Sequence, residues 1–105
     1  MTNRELLELS AKAIGLVGYW VEGFGFRVED ERGMHSFWNP LADDGEALRL
    51  AVKLEINILL SMEECSARNP YYTRWMNEAC KTEPYAAIRR AIVRAAAEIG
   101  KGLDK

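Results

Sequence analysis

Hydrophobic positions near the start of the chain repeat first at helical and then at alternating intervals. Residues 2–14 carry an apolar face at helical spacing, and Thr2 and Glu5 have the spacing of a capping box. Residues 17–38 are rich in β-branched and aromatic side chains, and glycine-containing turns divide them into three stretches, 17–21, 24–28 and 34–38. The pattern predicts one helix followed by three strands.

The rest of the chain predicts two further helices and one further strand. Asp43 or Asp44 can cap a helix that runs to about Lys53. Alternating apolar positions then predict a strand at residues 54–60. A helix with Pro84 in its first turn, where the missing N–H costs nothing, closes the chain.

The closing helix has a continuous apolar stripe and is expected to end at Gly100 and Gly102. The stripe consists of Tyr85, Ile88, Ile92, Ala95, Ala96 and Ile99. Residues 61–82, between the last predicted strand and this helix, have no readable period. We therefore treat them as a variable insert.

These elements predict a single α+β domain that spans residues 1–105. In the order α-β-β-β-α-β-insert-α, about four antiparallel strands form one small sheet, and about three helices pack on one of its faces. Within the second strand, alternation is expected to place Phe24, Phe26 and Val28 on one face and Arg27 on the other.

The composition is that of a folded globular protein. The chain has 105 residues, of which 49% are hydrophobic and 29% charged, so it can bury one core and is not typical of disorder. Its longest apolar run, Tyr85–Ile88, is far shorter than the roughly 20 residues of a membrane span. The early acidic residue Glu5 is untypical of a signal peptide, which predicts a cytoplasmic protein. Cys65 and Cys80 are expected to be free thiols, with a disulfide or metal ligation as the other interpretations.

Charge is divided unevenly along the chain. Residues 1–64 hold six lysines and arginines against twelve acidic residues, a net of −6, whereas residues 65–105 hold eight against four, a net of +4. The total of −2 makes nucleic acid an unfavoured partner. The opposed halves predict either packing of one half on the other or head-to-tail self-association, so a homodimer is among the expected assemblies.

Side chains able to perform acid–base or nucleophilic chemistry are scarce. The single histidine, His35, lies in a predicted strand, where its neighbour Ser36 would point to the opposite face. The acidic residues Asp43, Asp44 and Glu46 lack the spacing of a Ca²⁺ loop and are expected to cap a helix. No phosphate-binding glycine loop is present. The sequence therefore predicts no catalytic residues, no metal, no cofactor and no enzymatic activity.

The insert at residues 61–82 combines aromatic and arginine side chains. These are the residue types that anchor protein interfaces, because they bury a large area and keep a polar group, and here they are Arg68, Tyr71, Tyr72, Arg74 and Trp75. We expect them to form a partner-binding surface. The other interpretations are that the aromatic rings cover the core or stack on a nucleobase.

The closing helix carries a second candidate surface. Arg90 and Arg94 are one helical turn apart, and Arg89 lies beside them. Because guanidinium groups hold phosphates and carboxylates through paired hydrogen bonds, these three predict an anion-binding or nucleotide-binding site as an alternative function. The other interpretation is a solvated helix face on which Arg94 pairs with Glu98.

Two segments are similar to a family of small proteins encoded by bacteriophages and prophages of Gram-negative hosts. WNPLADDGEALRLAVKL at residues 38–54 resembles the family signature WNPL-x-DDG-x-ALRLAVKL, and PYAAIRRAIVRAAAEIG at residues 84–100 resembles the closing helix of that family. The layout is also loosely similar to that of NinX-like phage proteins. The resemblance implies a phage origin but no settled function, and the insert at residues 61–82 lies outside it.

Together these features predict a non-enzymatic phage accessory protein in the cytoplasm of the host cell. It is expected to bind and antagonise a host protein by surface contact, as an anti-CRISPR-like inhibitor or an inhibitor of another antiviral system. Two alternatives are left open: sequestration of a phosphorylated nucleotide signal by the arginine-rich helix, and regulation through nucleic-acid binding.

Overall fold

The computed structural model describes residues 1–29, 32–71 and 74–103. These residues have an α+β fold, which confirms the predicted fold class. In chain order their elements are α1 (Asn3–Ala13), β1 (Gly18–Val21), β2 (Gly25–Glu29), β3 (His35–Phe37), α2 (Asp44–Leu54), β4 (Asn57–Leu60), β5 (Glu64–Arg68), β6 (Trp75–Ala79) and α3 (Pro84–Gly102).

Helix α1 begins with the capping box that the sequence predicts. The Glu5 backbone N–H donates to the Thr2 hydroxyl at 3.1 Å, and the Thr2 backbone N–H donates to the Glu5 carboxylate at 3.3 Å. This bond from the Thr2 backbone lowers the pKa of the Glu5 carboxyl group below its ordinary value. After the helix, Gly15 has a φ of +71° and turns the chain toward the first strand.

Helix α3 is the central element of the fold and packs against α1, α2, β5 and β6. Its buried side chains are mostly small, which allows neighbours to approach from several directions, and they are Ala87, Ala91, Ile92, Val93, Ala95, Ala96 and Ala97. Tyr85 is 68% exposed, so the prediction that it belongs to the core stripe is wrong.

Helix α3 ends at Gly102, one of the two glycines predicted to end it, but it continues through the other, Gly100. Gly100 is buried within the helix, and a Cβ atom built on it would lie 1.9 Å from the carbonyl oxygen of Leu9. The backbones of α1 and α3 therefore touch at this point. The glycine is required for helix–helix packing rather than for helix termination.

The strands form two antiparallel three-stranded sheets, where the sequence predicts one sheet of about four strands. The first sheet has the order β1-β2-β3 and the second the order β4-β5-β6. The difference comes from residues 61–82, because the predicted insert supplies β5 and β6. Helix α3 packs against both strands, and Cys65, Ser66 and Ala67 of β5 are buried. This segment is part of the core.

A turn removes Phe24 from the face that it is predicted to share with Phe26 and Val28. Strand β2 begins only at Gly25, and Gly23 and Gly25 have φ values of +84° and +115°, which side chains with a Cβ rarely adopt. Phe24 lies between these two glycines and is exposed. Phe26 is buried, as a core position requires.

The fourth predicted strand begins three residues later than the alternation indicates. Leu54 is the last residue of α2, and Glu55 caps the helix in the left-handed conformation at a φ of 55°. Only after this reversal does the extended strand β4 begin, at Asn57. Local alternation of apolar residues could not reveal the cap.

Cys65 and Cys80 are buried free thiols on the side of the second sheet that faces α3. The Cys80 thiol donates to the Ser61 carbonyl oxygen at 3.3 Å, and the Cys80 backbone N–H donates to the Glu63 carbonyl oxygen at 3.1 Å. Burial, together with a hydrogen bond to Cys80, raises the pKa of the Cys65 thiol to about 11. The folded protein therefore favours the neutral thiol of Cys65 over the thiolate.

The raised pKa of Cys65 predicts a loss of stability at high pH. An unfolded thiol ionises near pH 9, whereas the folded one holds its proton up to about pH 11, so this contribution is complete below pH 9 and disappears as the pH rises through 11. We expect the urea midpoint to fall more steeply between pH 9 and pH 11 in the wild-type protein than in Cys65→Ala. Parallel curves for the two proteins would contradict the assignment.

Candidate functional site

Two pairs of adjacent aromatic residues give the first sheet an apolar character on both faces. Neighbours on a strand point in opposite directions, so each pair divides its rings between the two sides. On the inner side, Trp20 lies under the Arg4 guanidinium at 5.8 Å, and Trp38 meets the Phe26 ring edge-on at 6.1 Å. Tyr19 and Phe37 take the outer side, which is exposed.

The strand register aligns the outward residues in rows across the sheet. Tyr19 pairs with Arg27, and Arg27 pairs with Phe37, so the three share one face. Phe24 stacks on Phe37 with ring centroids 6.0 Å apart. In the next row, Glu29 pairs with His35. We call this surface the aromatic face, and its members are Val17, Tyr19, Phe24, Arg27, Glu29, His35 and Phe37.

The apolar residues of the aromatic face are too exposed to serve the core. Val17 is 84% exposed, Phe24 74%, Tyr19 55% and Phe37 51%. Beside them, a cleft of about 300 Å³ lies among Val17, Tyr19, Arg27, Glu29 and His35. Contiguous exposed apolar surface with a polar rim is typical of sites where another molecule binds.

The aromatic and arginine residues predicted as a partner-binding surface are only partly brought together. Arg68 and Trp75 pair across β5 and β6, and the Arg68 guanidinium lies 4.9 Å from the centre of the Trp75 ring. Tyr71 is 78% exposed but borders a different feature, a cavity of about 450 Å³ beside the ends of the helices. Arg74 is exposed, and Tyr72 lies outside the described residues. The group does not form one continuous described surface.

Arg89 of α3, a predicted anion-binding residue, instead holds the start of α2 in place. Its Nε donates to the Leu41 carbonyl oxygen at 2.8 Å, and its Nη1 donates to the Asp44 carboxylate at 2.5 Å. The side chain is only 18% exposed. Its guanidinium therefore already has two acceptors within the chain.

Arg90 and Arg94 of α3 converge on one carboxylate of the same chain. Arg94 Nη1 donates to the Glu78 carboxylate and, at 3.0 Å, to the Asn77 carbonyl oxygen, which replaces the predicted pair with Glu98. Arg90 Nη1 donates to Asn3 Oδ1 at 3.1 Å, and its Nε is 3.9 Å from the Glu78 carboxylate. An external anion would have to compete with Glu78 for both side chains.

This contact predicts how the arginine surface responds to phosphates. We expect cyclic dinucleotides to leave the melting temperature of the wild-type protein unchanged, because the Glu78 carboxylate already pairs with Arg94, lies 3.9 Å from Arg90 Nε and would repel a phosphate. In Glu78→Gln the negative charge is removed, so the same ligands are expected to raise the melting temperature. An equal rise in the wild-type protein would favour the nucleotide-binding alternative.

The acidic residues near the start of α2 have structural partners. Asp43 accepts the Glu46 backbone N–H at 2.8 Å, which confirms the predicted cap, and Glu46 accepts from Arg49 at 2.6 Å. Across residues 1–29, 32–71 and 74–103, no three His, Cys, Asp or Glu residues lie together as potential metal ligands. No helix in these ranges is long and apolar enough to cross a membrane.

Sequence reasoning missed the aromatic face, although a signal for it was present. The adjacent pairs Tyr19-Trp20 and Phe37-Trp38 cannot both point to one side of their strands. If helices cover one side, one ring of each pair must be displayed on the other. Phe24 has no such signal, because its position depends on the turn conformation.

The fold and this surface define a small α+β protein with one uncovered aromatic sheet face. The chain matches no protein-family model, no curated protein and no solved structure. The resemblance to phage-encoded proteins is therefore still a prediction. The function has to be argued from the geometry.

Proposed function

We propose that this protein is a non-enzymatic binding protein that attaches to another protein through the aromatic face. Following the phage resemblance, we further propose that it acts in the cytoplasm of the host cell and that its target is a host protein. In this proposal the phage protein antagonises a component of antiviral defence, such as a CRISPR system.

One observation carries this proposal: an apolar sheet face that is displayed to solvent while the opposite face of the same sheet packs on α1. Exposed phenylalanine and tyrosine side chains are unfavourable for a chain that only needs to fold, but they are typical anchors of interfaces. Phe24 and Phe37 are already stacked, so little side-chain freedom is lost when a partner covers them.

A photo-cross-linking amino acid at position 37 tests the proposal. When it replaces Phe37, on the edge strand β3 of the aromatic face, we expect a covalent adduct with a defined host protein. The matched control carries the same amino acid at position 85, since Tyr85 is an aromatic residue on α3 that is more exposed than Phe37. No adduct from position 37, or the same adduct from both positions, would contradict the proposal.

The recovered partner then allows a quantitative test with purified proteins. The double variant Phe24→Ser/Phe37→Ser removes both stacked rings, and loss of two interface anchors is expected to weaken binding by about 100-fold. Tyr85→Ser should bind as the wild-type protein does. Circular dichroism checks that each variant is folded.

A homodimer is a further proposal, and the second sheet offers a place for it. Residues Asn57–Leu60 of the edge strand β4 are all exposed and uncharged. Edge strands without charges or prolines pair readily with other strands. Sedimentation velocity of the purified chain measures its mass and decides between a monomer and a dimer.

A further inference from the structure

Arg27 lies at the centre of the aromatic face and has no anionic partner among residues 1–29, 32–71 and 74–103. It is half-buried between its cross-strand neighbours Tyr19 and Phe37. Among the described residues, none provides a hydrogen-bond acceptor or a carboxylate for its guanidinium. A cation that is partly removed from water and left without an acceptor loses hydration and gains nothing in return.

Half-buried arginines elsewhere in the fold have partners. On α3, Arg89, Arg90 and Arg94 each donate to an oxygen atom of another element. On the second sheet, Arg68 lies over the ring of Trp75. Arg27 therefore differs from the three arginines of α3 in its missing acceptor, whereas Arg68, whose buried Nε also has no acceptor, contacts the Trp75 ring.

The nearest carboxylate on the same strand face is directed elsewhere. A Cβ atom built on Gly33 would lie 3.5 Å from Glu29 Oε1, which places this carboxylate beyond the end of β2 rather than across the face toward Arg27. The cleft beside Arg27 is bordered by Val17, Tyr19, Glu29 and His35. It combines the Arg27 cation with apolar and aromatic walls, and the Glu29 carboxylate lines it without accepting a hydrogen bond from Arg27.

We infer that the aromatic face binds an Asp or Glu side chain of the partner protein, with apolar residues on either side of it. This inference rests on the proposed function and specifies the chemistry of its partner. The Arg27 guanidinium pairs with the carboxylate through two N–H donors, while Tyr19 and Phe37 cover the apolar residues that flank it. Arg27 supplies one guanidinium to the aromatic face of a chain of net charge −2, and one guanidinium suits one carboxylate better than a polyanion.

A library of random peptides displayed on a carrier tests the inference with the full-length protein. Peptides retained by the wild-type protein are expected to contain an acidic residue with apolar neighbours. A synthetic copy of a retained peptide should lose about tenfold or more in affinity when its acidic residue is changed to the amide, and equally when the protein carries Arg27→Gln. Arg49→Gln, which removes an exposed arginine of α2, should leave the affinity unchanged.

The outcomes separate this inference from the proposed function. Peptides that depend on Phe37 but contain no acidic residue and bind Arg27→Gln equally well overturn the inference and leave the proposed function intact. Peptides that bind Phe37→Ser as well as wild type overturn both. If no peptide is retained, the inference is overturned, and the cross-linking at position 37 decides the proposed function separately. If Arg27 is required for retention of a single-stranded oligonucleotide, its ligand is a phosphate group rather than a carboxylate, and the inference is also overturned.

Discussion

Replacing Gly100 by alanine should lower the free energy of unfolding by about 2–3 kcal/mol, although alanine is the better helix former. Propensity alone favours the substitution by about 1 kcal/mol within a helix. The added Cβ, however, would lie 1.9 Å from the Leu9 carbonyl oxygen and 2.7 Å from its carbonyl carbon. Because these are backbone atoms, no rotamer change relieves the clash, and α1 has to move away from α3.

Gly45→Ala is the matched control for this prediction. Gly45 also lies in a helix, but its Cβ would meet only side-chain atoms of Asp43 and Arg49, at 3.2–3.3 Å. These atoms can shift, so we expect a change within about 0.5 kcal/mol. Urea denaturation of both variants measures the difference. An equal response at the two sites would mean that the contact between α1 and α3 is not as close as the structure gives it.

The neighbouring aromatic residues Phe37 and Trp38 should have opposite roles: substitution of Trp38 should mainly reduce stability, and substitution of Phe37 should mainly reduce binding. Trp38 is 7% exposed and packs edge-on against Phe26, so Trp38→Ala is expected to cost about 3–5 kcal/mol of folding free energy. Phe37 is 51% exposed and contacts Phe24, so Phe37→Ala is expected to cost about 1 kcal/mol or less.

The binding measurement should rank the same two variants in the opposite order. Phe37→Ala removes an anchor of the aromatic face and is expected to weaken binding of the cross-linked partner by about 30-fold. The folded fraction of Trp38→Ala, measured at low temperature, should bind nearly as tightly as wild type, because its side chain faces the core. Loss of binding in Trp38→Ala at full folded population, or none in Phe37→Ala, would contradict the assignment of the two faces.

Elements whose signals are local were predicted well from the sequence. The capping box at Thr2 and Glu5 and the cap at Asp43 specify helix starts because side chains nearby in sequence satisfy the first backbone N–H groups. Pro84 specifies the start of α3 because its fixed φ suits the first turn and it has no N–H to satisfy. The three strands of the first sheet were also predicted, since β-branched and aromatic residues are concentrated there.

Residues 61–82 were not predicted, for a physical reason. In β5, Cys65, Ser66 and Ala67 are all buried although they point to alternate faces, so no period of two appears in the sequence. The burial of Cys65 and Ala67 depends on α3, which is distant along the chain, and Ser66 on the opposite face is hydrogen-bonded to Asn77 of β6. The pairing of Glu78 with Arg94 was also not predicted, because these residues are far apart in sequence and come into contact only when β6 packs on α3.

The features of the candidate site also fall into those with a local sequence signal and those set by tertiary packing. The α+β class, the helix starts and the presence of paired aromatic residues on strands can be derived from the chain alone, because these depend on neighbours within a few positions. Three-dimensional packing was needed to show which ring of each pair faces solvent, which arginines pair with a carboxylate and that Arg27 has no acceptor among the described residues. Those outcomes depend on which elements pack together, and the packing brings together groups that are distant in sequence.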